Sequence, residues 1–266
     1  MNPITDLLSI IARLRDPKRG CKWDLQQTFE TIAPHTIEES YEVEDAIQRM
    51  DYEDLKDELG DLLFHVVFYS QLATERSYFN FHDVAAAISH KMIRRHPDVF
   101  PDSKIAGIEA ENHTWESLKA KERAQKQKVT HIKISALDGV ATNLPALTRA
   151  TKLQKRASMV GFDWPDIAPV LEKIFEELNE VQEVLAGSMD PKRLIDEIGD
   201  LLFTCTNLAR HCDIDPETAL RQANRKFEQR FKRVEALMGS KMVGPKNASL
   251  EEMEAVWKQV KHEETT

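Results

Sequence analysis

A chain of 266 residues fits one large or two medium domains, at about 150 residues per domain. Its 41% apolar content supports a packed core and excludes a disordered chain, while 9 Gly and 11 Pro are too few for a turn-rich all-β fold. A formal net charge of −9 supplies no general basic surface, so no direct nucleic-acid partner is expected, and an acidic protein that handles phosphates needs a cation to mediate.

The N-terminal stretch sets Leu7, Leu8, Ile11 and Leu14 at helical spacing, and Asp6 and Arg13 interrupt any signal-peptide core. Three cysteines, Cys21, Cys205 and Cys212, are too sparse for a disulfide framework and suit a reducing compartment. No apolar run reaches the roughly 18 residues of a membrane span, so a soluble, cytoplasmic protein is expected. Thr36-x-x-Glu39 has capping-box form and is expected to open a helix. The stretches after Asp61 (Leu62, Leu63, Val66, Val67, Tyr69, Leu72) and after Asp200 (Leu201, Leu202, Cys205, Leu208, Ala209) are apolar over more than one face, as in the central helix of a bundle. Between them, Lys119 to about Asp138 reads as an exposed charged helix and then a linker, with an alternating, strand-like run at Thr130–Ser135. Asp190-Pro191 and Asp215-Pro216 each read as an N-cap followed by proline at the first helical position, and Ser249-x-x-Glu252 as a further capping box.

The chain repeats itself. Glu58-Leu-Gly-Asp-Leu-Leu-Phe64 recurs as Glu197-Ile-Gly-Asp-Leu-Leu-Phe203, and Glu38-Glu39-Ser-Tyr-Glu42 as Glu176-Glu177-Leu-Asn-Glu180. Lys91 and Arg95 match Lys226 and Arg230, and Trp115 with Lys119 matches Trp257 with Lys261. Four blocks in one order mark a duplicated domain. The fold class expected is all-α: two tandem helical bundles, most simply four-helix, at 1–120 and 141–266, joined by the charged linker 121–140.

Within each copy, carboxylates fall three residues apart: Glu39 with Glu42 and Glu58 with Asp61, then Glu177 with Glu180 and Glu197 with Asp200. At helical spacing each pair shares a face, and two antiparallel helices could turn the pairs toward one another. Four converging carboxylates repel unless some stay protonated or a cation joins them. An all-oxygen donor set points to Mg²⁺ or Mn²⁺. The bland alternative is a solvated acidic helix face, with Glu39 serving only the capping box. A di-iron site is rejected because Glu-x-x-His is absent from both acidic blocks, and no EF-hand or P-loop pattern is present. Basic residues complete a phosphate site in the second copy. Lys173 and Arg193 stand one turn before Glu177 and Glu197, and Lys226, Arg230, Trp257 and Lys261 follow. Trp257 reads equally as a base-stacking residue and as a core anchor. In the first copy His35 and Asp54 replace Lys173 and Arg193, so the second copy is expected to be the stronger site.

Glu-Glu-x-x-Glu followed after a spacer by Glu-x-x-Asp resembles the MazG family. So does Gly20-Cys-Lys-Trp-Asp24, with Gly161-Phe-Asp-Trp164 as its shadow, although Lys22 replaces the family's usual Pro. The resemblance covers nearly the whole chain. It implies an all-α, Mg²⁺-dependent homodimer that converts a nucleoside triphosphate (NTP or dNTP) to the monophosphate and pyrophosphate. Metal ligands are then expected at Glu177, Glu180, Glu197 and Asp200, with the same motif at Glu39, Glu42, Glu58 and Asp61. Nucleotide contacts are expected at Lys173, Arg193, Lys226, Arg230, Trp257 and Lys261. In the mechanism expected, Glu176 or Glu177 accepts a proton from water while Lys226, Arg230 and Lys173 offset charge on the leaving pyrophosphate. A nucleotide sensor without turnover and a helical interaction module are the alternatives.

Overall fold

The computed structural model describes residues 2–96, 98–101, 135–187, 189–240 and 248–264. Among them every regular element is a helix, and contacts divide the chain into two compact units, Met1–Thr130 and His131–Thr266.

In the first unit, α1 (Pro3–Leu14) starts at Asn2, whose side chain accepts from the Ile4 N–H, with Pro3 at the first position, where its missing N–H costs nothing. After the short α2 (Lys22–Gln26) come α3 (Phe29–Arg49), α4 (Tyr52–Glu75) and α5 (Phe81–Arg95). The start expected at Thr36 is corrected. α3 begins at Phe29, capped reciprocally by Thr28 and Thr31, and runs through Pro34. Pro34 removes one donor near the helix start without ending the helix, so Thr36 and Glu39 are mid-helix residues. α3 and α4 form an antiparallel hairpin about Met50, which is left-handed at φ 56°. α4 is central: it packs on α1, α3 and α5. Ile11, Ile32, Val67, Phe68 and Leu72 form the core there, each worth about 1.5–3 kcal/mol of burial.

The second unit repeats the plan with α6 (Ala146–Ser158), α7 (Ile167–Ala186), α8 (Pro191–His211), α9 (Pro216–Ser240) and α10 (Leu250–Glu263). Asp190 and Ser249 cap as their sequence patterns anticipate, and the Asp215 carboxylate accepts from the Thr218 N–H. The turn between α7 and α8 again contains a left-handed methionine, Met189, before the capping aspartate. α8 packs on α7, α6 and α9, but its Leu202 and Phe203 stay 54% and 44% exposed. Here the buried residues of α8 are Thr204, Thr206 and Asn207. A separate cluster, Val234, Met238, Val256 and Val260, welds α9 to α10.

Each unit also pins the loop before its first long hairpin to the end of its central helix. In the first, buried Arg15 grips Glu75 with two bonds (2.8 and 2.7 Å) and the carbonyl of Asp24, with its guanidinium over Phe68. In the second the charges are exchanged: Asp163 of the loop accepts from Arg210 and lies 3.2 Å from His211 Nε2 on α8. Ser135–Asp138 is a turn held to α6 by Arg156, which donates to the carbonyls of Ala136 and Asp138. The remainder of the expected charged helix, the strand-like run before Ser135, Trp115 and Lys119 lie outside the described residues.

Candidate active site

In both units the central hairpin brings the carboxylates together, because residues three apart on α3 and α7 face residues three apart on α4 and α8. Oxygens of Glu39, Glu42 and Glu58 lie within 4.8 Å of one another, as do those of Glu177, Glu197 and Asp200. Asp61 and Glu180 act on the two sets electrostatically: the charge of Asp61 raises both Glu39 and Glu58, and the charges of Glu177 and Glu197 raise Glu180. Burial and the neighbouring Glu42 hold the Glu39 carboxyl at a pKa of about 7, with Asp61 and Glu58 adding to the shift. Burial, then Glu42, Asp54 and Asp61, raises Glu58. Burial, then Glu177 and Glu197, raises Glu180. Each cluster resists full ionisation as it stands.

The second cluster is the more completed. Glu177 is 4% exposed, and its Oε2 is buried without a hydrogen-bond partner. Its Oε1 lies 2.8 Å from Lys173 Nζ, and the same ammonium binds Glu176 at 2.7 Å. These two carboxylates raise the Lys173 pKa, so the side chain remains a cation. Arg193 donates to Glu197 at 3.3 Å. An unpartnered buried oxygen in an all-oxygen set of four carboxylates, with two cations on its rim, suits a hard divalent cation. In the first cluster the positions of those two cations are taken by Asp54, which binds Arg49, and by His35, which faces Glu38 at 3.4 Å.

Lys226, Arg230, Trp257 and Lys261 gather on the α9–α10 pair. Arg230 binds Glu264 at 2.8 and 2.7 Å, and its guanidinium carbon is 6.0 Å from the Trp257 ring centre. Trp257 packs against the α9–α10 core and lies 5.4 Å from the Phe227 ring, while Lys226 is exposed.

The sequence places His65 four residues after Asp61, with Thr204 at that position in the second unit, but gives it no role once the di-iron pattern is rejected. Buried His65, one turn after Asp61 on α4, turns Nε2 toward Glu39 Oε1 at 3.9 Å. Burial, with the nearby His35, lowers its pKa. The sequence signal was its place four residues beyond a candidate ligand, which the Glu-x-x-His test for di-iron sites passes over.

Two all-α units, each with a carboxylate cluster on a central hairpin, match a known domain. Residues 27–100 and 167–235 match the MazG nucleotide pyrophosphohydrolase domain, and these segments contain both clusters. The chain is 51% identical over 265 residues to the nucleoside triphosphate pyrophosphohydrolase of Escherichia coli (strain K12), covering 99% of each. It is 42% identical over 256 residues to the nucleoside triphosphate pyrophosphohydrolase/pyrophosphatase MazG of Thermotoga maritima, covering 96% of this chain and 94% of that one. It is also 39% identical to the uncharacterized protein YabN of Bacillus subtilis, of which it spans 51%. The chain belongs to the MazG nucleotide pyrophosphohydrolase family.

Proposed function

We infer that this protein is a nucleoside triphosphate pyrophosphohydrolase, cleaving the α–β phosphoanhydride of an NTP or dNTP with water to give the monophosphate and pyrophosphate. The family assignment supports the reaction. The observation that carries its placement in the second unit is the buried, unbonded Oε2 of Glu177 among Glu197, Asp200 and Glu180. These four residues would hold the cation, Mg²⁺ or Mn²⁺. When bound, that ion would shield the triphosphate and make water more acidic.

The chain's own residues supply the rest. Glu176 projects from the same helix, is 59% exposed at its side chain and is tethered by Lys173. It is placed to accept the proton of the attacking water, with Glu177 the second choice. Lys173 and Arg193 are already beside the carboxylates and would offset charge on the departing pyrophosphate. Lys226, Arg230, Trp257 and Lys261 would meet the nucleotide from the α9–α10 pair. Trp257 offers a ring for stacking, and Arg230 would exchange Glu264 for a phosphate.

The homodimer expected from the family is supported by exposed Phe175, Ile195, Leu202 and Phe227, at 65%, 70%, 54% and 59%. Among the described residues no helix is long and apolar enough to cross a membrane. The three cysteines are free and exposed, which suits a cytoplasmic setting. Phosphorus NMR of the wild type with mixed NTPs and Mg²⁺, beside Glu177→Gln and Glu39→Gln, tests the reading. Pyrophosphate plus monophosphate, abolished by Glu177→Gln and kept by Glu39→Gln, supports it. Orthophosphate plus diphosphate refutes the reaction, and absence of turnover favours a nucleotide sensor.

A further inference from the structure

The first unit contains a polar chain that the second does not repeat. Thr36, His65 and Tyr69 stand where the second unit has Ile174, Thr204 and Leu208. His65 is only 4% exposed. Its Nδ1 lies 2.7 Å from Thr36 Oγ1, which lies 2.9 Å from the Tyr69 hydroxyl and donates to the Ile32 carbonyl at 3.3 Å. Thr36 has a single proton: when it goes to that carbonyl, Tyr69 and the His65 Nδ1–H both donate to Thr36 Oγ1, and when it goes to His65 Nδ1 the imidazole proton sits on Nε2. In the first arrangement Nε2 presents a bare lone pair, the form a metal ligand needs.

His65 Nε2 faces Glu39 Oε1 at 3.9 Å, beside Glu42 and Glu58. An imidazole lone pair and an ionised carboxylate oxygen held face to face repel, and a cation between them reverses the sign. Two donors about 2.1 Å from one shared ion are at most about 4.2 Å apart, so the spacing fits a common ion. The hydrogen bond at Nδ1 is the kind of outer contact that fixes the tautomer and direction of a metal-ligating histidine.

We propose that the first unit's cluster is a site for a first-row transition dication, held by Glu39, Glu42 and Glu58 with His65 Nε2 as a nitrogen ligand. It therefore differs in metal preference from the all-oxygen cluster of the second unit. Imidazole favours transition metals over Mg²⁺, and the divalent affinity order runs the same way. The contrast between the units rests on the metal reading of the second; the first-unit site itself does not.

The test uses the full chain carrying Glu177→Gln, to silence the second cluster, with Mn²⁺ as the probe in about a hundredfold excess of Mg²⁺. EPR is expected to show one Mn²⁺ retained per chain, and pulsed EPR the ¹⁴N modulation of a coordinated imidazole. Adding His65→Gln, whose amide can still bond Thr36, is expected to abolish that modulation and weaken Mn²⁺ by about tenfold or more. Glu42→Gln, a change at an exposed position, is expected to weaken Mn²⁺ while leaving the helical circular dichroism intact. The nitrogen signal is read with His65 in place, so it does not depend on a variant folding. Mn²⁺ bound without ¹⁴N modulation, or wholly displaced by Mg²⁺, overturns the proposal. Failure of the second-unit reading appears separately, as wild-type protein that releases no pyrophosphate.

Discussion

Glu177→Gln should inactivate the protein and, without metal, make it more stable. The Glu177 carboxylate lies within 4.8 Å of those of Glu197 and Asp200. At an effective dielectric of about 20, each like-charge pair at that distance costs about 3.5 kcal/mol, or about 7 kcal/mol together. The contact with Lys173 at 2.8 Å returns about 6 kcal/mol on the same basis. The near-cancellation leaves the burial of the unbonded Oε2 as the deciding quantity, about 1–3 kcal/mol of destabilisation. Glutamine removes the charge, turns an amide N–H toward the remaining carboxylates, and leaves Lys173 with Glu176. In EDTA the variant is therefore expected to unfold about 1–3 kcal/mol later than wild type, roughly 3–10 °C in Tm. At a Mg²⁺ concentration near 100 times Kd the wild type gains about 2.7 kcal/mol, the variant gains little, and the difference closes. Calorimetry in EDTA and in Mg²⁺, paired with a pyrophosphate-release assay, reads both effects. A variant less stable than wild type in EDTA would refute the reasoning, because Glu177 would then be a satisfied anchor for Lys173 and not a site held under strain.

The first cluster has its own pH signature. Glu39 titrates at about 7 in the fold against 4.5 in its ordinary state, so the folded chain holds an extra proton between those values. Metal-free stability is therefore expected to fall as pH rises from 4.5 through 7, by about 1–2 kcal/mol after screening by water. Glu39→Gln should remove that slope, and urea midpoints at pH 5 and pH 8 in EDTA measure it; an unchanged slope in the variant would count against the cluster. Arg15→Met strips Glu75 of its bidentate partner and should cost about 3–4 kcal/mol, with Glu75→Gln milder, both by chemical denaturation. Gly20→Ala would drive a methyl group into the Leu14 carbonyl oxygen and to 2.6 Å from that of Asp16, both backbone atoms. A loss of about 1–3 kcal/mol in the same assay is expected, and an unperturbed midpoint would mean the loop shifts freely.

Much of the molecule can be read locally. Capping chemistry acts within one turn, so Asp190-Pro191, Asp215-Pro216 and Ser249-x-x-Glu252 mark helix starts without reference to the rest of the chain. The 3.6-residue period puts Glu39 beside Glu42 and Glu177 beside Glu180 whatever else happens, and the duplication implies that both hairpins do the same. Thr36 shows where local reading ends: its capping pattern was real as a sequence, but Thr28 and Thr31 supply a start that carries α3 through Pro34. Other features depend on residues far apart in sequence. Packing decides that Glu177 alone of its cluster is buried with an unbonded oxygen, that His65 turns toward Glu39, and that Arg230 lies against Glu264 and Trp257. It also leaves Leu202 and Phe203 exposed on a helix whose composition reads as core. Hydrogen bonds within a helix are local, so helices and the faces they carry follow from sequence. Desolvation and charge depend on which surfaces meet, and only the tertiary structure decides that.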